Sequence, residues 1–301
     1  MDATRFLIVL ADDYGIGPET SRGILELATR GVVTGTVLMV NSPHAPEALR
    51  AWRQAGAPME LGWHPCLTQD PPVAGADNVP SLVGPDGRLW PLGKFLKRVA
   101  VGRIRAADVE RELAAQYDRF VEWVGRPPSV VNAHQHAALF PPVGGALLRV
   151  LERSRSRPFV RRIVEPASML ARIPGARIKR SVLSALGRRQ ARRLERAGFP
   201  GADWMAGTTD PKWVQDPDFF VRWLRLVPGR VVELACHPGH MDATLVGRDC
   251  HEGDGLQRRR VDEYALLAAP SFDEACRRAG FIRVGPSEWV ERRGRAALRA
   301  A

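Results

Sequence analysis

Phe6-Leu7-Ile8-Val9-Leu10-Ala11-Asp12-Asp13-Tyr14-Gly15-Ile16-Gly17-Pro18 decides the fold. Its first half is apolar and rich in branched residues, the composition of a strand buried in a parallel sheet. That strand runs without a break into adjacent carboxylates and a glycine-rich turn. Pro18 suits the first position of a helix, and Gly31 closes it. Side chains at the carboxyl end of a buried strand face a crevice rather than bulk water. Two carboxylates there repel unless a cation or a shared proton settles them. For an isolated Asp-Asp the plainer alternative is that Asp12 caps the turn and Asp13 is solvated. Repetition of the pattern further along argues against it.

Working outward, Thr36–Val40 reads as a second strand ending at Asn41, and a helix over about 45–55 leads to a third, Met59–Gly62, which delivers Trp63 and His64. Residues 65–91 are rich in Pro, Gly and Asp and too long for a simple connector, so a lid or rim is expected. Val109, Leu113, Tyr117, Phe120 and Val124 fall on one helical face of 106–124, and Gly125 ends that helix. Ser129–Asn132 is the next strand, leading into His134 and His136, with a helix over 143–152 after it. Phe159–Ile163 follows as a strand that carries Arg162 and ends near Glu165. A basic segment comes next, helical around 178–196, then a helix over 216–226. The strand Val231–Cys236 delivers His237 and His240. Helices over 257–268 and 271–279 and a last strand at 281–284 precede an Arg/Ala-rich tail that is expected to fray.

Strand, polar residues, helix, repeated, is the rhythm of a parallel α/β fold. No GxGxxG follows the first strand, and acids there would repel a phosphate. A distorted TIM-like (β/α) barrel with outer helices is therefore expected over one domain, 1–290, with a basic insertion around 165–207 and a tail at 291–301.

Composition is ordinary for a globular chain of 301 residues, 45% hydrophobic and 26% charged. No apolar run is long enough to cross a membrane, and no secretory signal is expected, since the first strand starts almost at once. The four cysteines show no CxxC spacing, as expected of reduced thiols in a cytoplasmic enzyme. The net charge of +11 is concentrated: Arg149 to Arg196 holds 15 basic and 3 acidic residues, which accounts for the whole imbalance. Arginines outnumber lysines 40 to 4, so the charge alone does not argue for a specific nucleic-acid partner.

Five of the seven histidines (His64, His134, His136, His237 and His240) stand at or just after a strand end, as do Asp12 and Asp13. In barrels those ends converge on one mouth, where chemistry is done. An Asp with two His is a donor set for one divalent cation with positions left for water and substrate. Of two adjacent acids one would coordinate and the other accept a proton; the residues leave open which. On the residues alone three functions compete: a single-metal hydrolase, a metal-dependent phosphoesterase, and a non-enzymatic membrane or nucleic-acid binder acting through 149–196. A phosphoesterase usually needs two metals, hence more carboxylates than these strand ends provide.

Ala11-Asp12-Asp13-Tyr14-Gly15, Gly62-Trp63-His64, Asn132-Ala133-His134-Gln135-His136 and Cys236-His237-Pro238-Gly239 resemble, in order and spacing, the successive motifs of the YdjC/ChbG carbohydrate deacetylases. The resemblance covers roughly residues 5–285. It implies a distorted barrel that removes N-acetyl groups from amino sugars with one divalent ion, Mg²⁺ or Zn²⁺. By the same resemblance Asp13, His64 and His134 hold the metal, Asp12 is the general base, and His237 assists the leaving amine or the oxyanion. His136, Asn41, Arg162, Glu165 and Trp63 are the candidates for substrate contact.

Asn132-Ala133, where many members have Asp-Ser, is similar to the hopanoid-associated HpnK branch, which implies an N-acetylated sugar on a lipid. Ile178, Val182, Leu186 and Leu194 mark an apolar stripe in the basic helix. The favoured reading packs that stripe on the barrel, because Gly187 interrupts the helix; a peripheral contact with the inner membrane face is the alternative. A homodimer stays open.

Overall fold

The computed structural model describes residues 4–300. The first strand, β1 (Arg5–Tyr14), is longer than its apolar core, because its pairing with β2 resumes beyond both acids, at Tyr14. The chain continues through α1 (Pro18–Thr29), β2 (Gly35–Leu38), α2 (Ala45–Gln54), β3 (Glu60–Trp63), α3 (Leu92–Ala100) and α4 (Ala106–Val124). Its middle part is β4 (Val130–Val131), α5 (Val143–Arg153), β5 (Phe159–Val160), α6 (Ala167–Arg172), α7 (Arg177–Arg196) and β6 (Trp204–Ala206). The last part is α8 (Phe219–Leu226), β7 (Val231–Cys236), α9 (Leu256–Ala268), α10 (Pro270–Arg278), β8 (Phe281–Arg283) and α11 (Pro286–Ala300).

The strands pair in parallel in the order β5-β4-β3-β2-β1-β7-β6. β8 pairs with the foot of β1, at Arg5–Leu7, on the edge that β2 takes over from Leu10. The ends of this curled sheet meet: Val160 N–H donates to Pro200 O at 2.8 Å and Met205 N–H to Val164 O at 3.0 Å. The result is the distorted barrel the strand–helix rhythm predicts.

Alternation along the strands divides the core. Phe6, Ile8 and Leu10 join Val37, Val130, Phe159 and Val231 in one cluster, which Trp289 of α11 joins. Leu7, Val9 and Ala11 belong to the other, with Ile24 and Leu27 of α1. The C-terminal segment is anchored at the start of α11, where Trp289 is 9% exposed and packs on Phe6 with ring centroids 5.3 Å apart.

The sequence reading lacks α3 and β6. A strand of three residues shows no alternation, and α3 is a short helix with a single fully buried side chain, Phe95. The 65–91 segment is ordered by buried acids of α4: Glu112 accepts from Val73 and Ala74 N–H, both at 2.9 Å, and Asp108 from Ser81 N–H at 3.0 Å. No helix among the described residues is long and apolar enough to cross a membrane.

Gly187 does not interrupt α7; the helix runs through it, and a Cβ at this position would fall inside the Ile163 carbonyl oxygen. Glycine here permits close approach of α7 to the barrel rather than a break. Gly187→Ala is expected to lower stability by about 1–3 kcal/mol through overpacking, measured as a lower urea midpoint at unchanged slope.

Candidate functional site

The inward period of β1 continues Phe6, Ile8, Leu10 to Asp12, so Asp12 enters the barrel above its apolar plug. The same period would send Asp13 outward with Val9 and Ala11. It does not, because Asp13 has a φ of 66° and the pairing with β2 shifts register between Ala11 and Tyr14. This left-handed residue in a strand brings both carboxylates to one mouth. Backbone of that kind costs of order 1–3 kcal/mol and clusters at functional sites. Gln135 and His136 repeat the device, with φ of 51° and 56°, just after β4.

Asp13 is the hub. His134 Nδ1 lies 2.9 Å and His64 Nε2 3.2 Å from its Oδ1, and Arg260 donates to its Oδ2 at 2.7 Å. One ligand atom from each of Asp13, His64 and His134 lies within 4.8 Å of the others, and all three residues are buried. Hydrogen-bond logic shows that this donor set suits a cation. His64 Nδ1 lies 2.8 Å from the Asn132 carbonyl and must donate to it. Its Nε2 therefore turns a lone pair toward a carboxylate oxygen, two acceptors face to face, unless a proton or a metal ion lies between. His134 sits between two acids, with Nε2 3.4 Å from Asp249 Oδ1. Those neighbours hold the His134 imidazolium well above the usual histidine range against a burial that opposes it.

Asp12 has different partners. Arg161 binds it through both terminal nitrogens, at 2.5 and 2.8 Å, and Asn132 Nδ2 donates to it at 3.1 Å. Burial alone would raise its pKa, but Arg161 outweighs burial and holds the carboxyl far below the usual carboxylate range. Arg161 also donates through Nε to Glu233, an acid in the middle of β7 that burial pushes upward. Across from Asp12 stands His237, its Nε2 3.7 Å from Asp12 Oδ2 and its backbone N–H bonded to Glu263. Burial first, then Arg259, lowers the His237 pKa. His136 also lines the cavity, and burial with the Arg161 charge brings it down to about 3, so it is neutral at working pH.

These groups open on a cavity of about 350 Å³. Leu92 and Leu96 of α3, Phe140, Leu183 of α7 and Leu256 of α9 supply its apolar wall. Asn41, Trp63, Arg162 and Glu165, expected to contact substrate, do not line it. Trp63 is fully buried and stacks edge-on against Tyr117 in the core. Asn41 is buried with both side-chain polar atoms unpartnered. Arg162 faces outward to Glu195 at 2.9 Å, because alternation from Phe159 makes Arg161 the inward residue. Glu165 is buried against Arg180 at 2.6 Å and ties α7 to the barrel. His240, also at a strand end, turns to Glu26 at 2.9 Å.

Four residues that the sequence reading passed over belong here: Arg161, Glu233, Asp249 and Arg260. Arg161 was legible from strand alternation, and Glu233 as a lone acid inside an apolar strand. Asp249 and Arg260 carried no signal, since a loop and the face of α9 bring them in. Arg161→Met would leave Asp12 and Glu233 buried without their shared cation. A loss of about 3–5 kcal/mol is expected, read by denaturant unfolding, with the loss smaller in an Arg161→Met, Glu233→Gln double variant.

The sequence profile of the family described as YdjC-like protein matches residues 6–278. The chain is similar to a chitooligosaccharide deacetylase of Serratia marcescens, 29% identical over 92% of this chain and 96% of that one. It is also similar to a carbohydrate deacetylase of Geobacillus stearothermophilus, 30% identical over 89% of this chain and 91% of the relative. A crystal structure from Enterococcus faecalis V583, named there as a candidate cellobiose-phosphate cleavage protein, shares the fold with a TM-score of 0.76. It is 23% identical and covers 95% of this chain, which covers 99% of it.

Proposed function

From the membership of this chain in the YdjC-like protein family, we propose that it hydrolyses the N-acetyl group of an amino sugar and releases acetate. The observation that carries the reading is the placement of Asp12 opposite His237, 3.7 Å apart, beside the Asp13/His64/His134 group. That arrangement supplies a proton acceptor and a proton donor on two sides of one small space, with a cation site next to it.

Asp13, His64 and His134 would hold one divalent ion, with Asp249 and Arg260 orienting His134 and Asp13 from behind. The bound ion supplies polarisation of the acetamide carbonyl and acidity to the attacking water. Asp12, pinned by Arg161, stays ionised and points a fixed oxygen into the cavity. A carboxylate this weak as a base accepts a proton only from a strongly acidified water, which is why it stands beside the cation site. The proton that Asp12 takes from water is passed through the His237 imidazole, 3.7 Å away, to the departing amine as the C–N bond breaks. Neutral His136 offers hydrogen bonds to sugar hydroxyls, and the leucines around the cavity exclude water from the acetyl methyl.

The choice between Mg²⁺ and Zn²⁺ follows from the donor set: two imidazoles favour Zn²⁺ or another first-row ion over Mg²⁺, which prefers oxygen ligands. The test is acetate release by enzyme reconstituted separately with each ion, from N,N′-diacetylchitobiose, a lipid-linked N-acetylglucosamine and cellobiose phosphate. Acetate from an N-acetylated substrate, with no phosphate from the third, is the expected result. Phosphate release without acetate would overturn the reading.

A further inference from the structure

The apolar stripe of α7 divides. Leu194 is buried and Leu186 half-buried, but Ile178 is 84% and Val182 53% exposed. Ile178 and Val182 are one turn apart on the same helical face, and Ser181 and Ala185 beside them are exposed too. Among the described residues only six large hydrophobic side chains are exposed, so two adjacent ones on one helix form a concentrated patch. The same helix presents Arg177, Lys179, Arg188, Arg189, Arg192 and Arg193 to solvent. Glu195 is its one acid, and that carboxylate faces Arg162 of the barrel. An exposed aliphatic pair set in unneutralised positive charge lacks complementarity to water, yet matches a surface that is anionic outside and apolar beneath.

We propose that this face of α7 docks on an anionic lipid bilayer, with Ile178 and Val182 entering the headgroup boundary and the arginines of the following turns on the lipid phosphates. The helix is positioned for this by contacts on its other side: Arg180 is fully buried against Glu165, and Gly187 lets the axis approach Ile163. α7 is therefore a rigid platform, and docking needs no rearrangement. Lys179 and Leu183, each one residue on from the aliphatic pair, line the cavity of Asp12 and Asp13, so docking brings that cavity beside the membrane surface. Further along the same helix Leu186, Arg189 and Arg193 border a second cavity of about 890 Å³ that shares Phe140 with the first. Docking concerns a different surface from the reaction, and its readout does not depend on deacetylation.

The test is co-sedimentation of the whole chain with vesicles of phosphatidylcholine alone and of phosphatidylcholine with about one-third phosphatidylglycerol, at low and moderate salt. Wild-type protein is expected to bind the anionic vesicles, to release progressively as salt rises, and to ignore the neutral ones. Ile178→Ser with Val182→Ser is expected to weaken binding at least tenfold while acetate release from a soluble substrate is unchanged. Arg188→Gln with Arg192→Gln keeps the aliphatic pair and removes two charges; about fivefold weakening per charge is expected. Equal binding by the serine variant, or no binding of wild type to the anionic vesicles, overturns the proposal. So does a self-association that the serine variant abolishes, which would make the patch an interface between copies. Binding to single-stranded RNA at least as tight as to vesicles, and indifferent to the serine substitutions, would identify a nucleic-acid surface instead.

Discussion

Asp12→Asn abolishes acetate release, by about three orders of magnitude or more, while the protein keeps a wild-type metal content. Asparagine preserves the shape of the side chain and one of its two acceptor positions toward Arg161, but it cannot accept a proton. General-base catalysis contributes typically 10²–10⁴-fold, and that whole contribution is removed. Metal content is expected to hold because Asp13, not Asp12, lies with His64 and His134, and the left-handed backbone at Asp13 does not depend on its neighbour's charge. Arg161 retains Glu233 as a partner, so the fold does not lose its buried cation's only acid. The measurement is metal analysis by mass spectrometry alongside an acetate assay. Loss of metal together with activity would exchange the roles of the two aspartates. Full activity would remove Asp12 from the chemistry.

His64→Ala and His134→Ala should each lose metal and activity together. Each removes one of three protein donors, and no other imidazole among the described residues stands in the group with Asp13. Chelation of the wild-type enzyme should have the same consequence and be reversed by adding the ion back. The apoprotein should also be less stable than the loaded form, because an ion that binds only the folded state stabilises it by mass action. That difference is read as a melting temperature that rises with ion concentration in wild type and not in His134→Ala. A His134→Ala variant with full activity would end the ligand assignment. Asp249→Asn tests the support behind it: it spares every proposed ligand but leaves His134 Nε2 without its carboxylate. A 10–100-fold loss of metal affinity is expected, measured by competition with a chromophoric chelator.

Local patterns made much of the fold readable. β1 and β7 declared themselves because a strand buried on both faces reads as a near-continuous apolar run. α4 did so because one face of a long helix must be apolar while the other meets water. The strand ends follow from these elements, and with them the histidines and paired acids that a barrel gathers at one mouth. β6 and α3 escaped: three residues show no alternation and α3 fully buries one side chain, Phe95, so neither carries a pattern and their place is decided by the elements they complete. Arg162 was chosen over Arg161 because composition treats the neighbours alike, whereas a pleated strand points them to opposite faces.

By itself the sequence determined the elements that bury one continuous apolar face, the order in which they alternate, and the residue types delivered to the strand ends. All of these depend on interactions between near neighbours in the chain. Only the tertiary structure decided which of those residues meet. The positive φ at Asp13 turned it toward His64 and His134, the curl of the sheet set Arg161 against Asp12 and Glu233, and a distant loop and helix contributed Asp249 and Arg260. It likewise exposed Ile178 and Val182 on a helix whose leucines are partly or wholly covered. Such meetings depend on register, handedness and closure, which are properties of the packed whole. No window of sequence contains them.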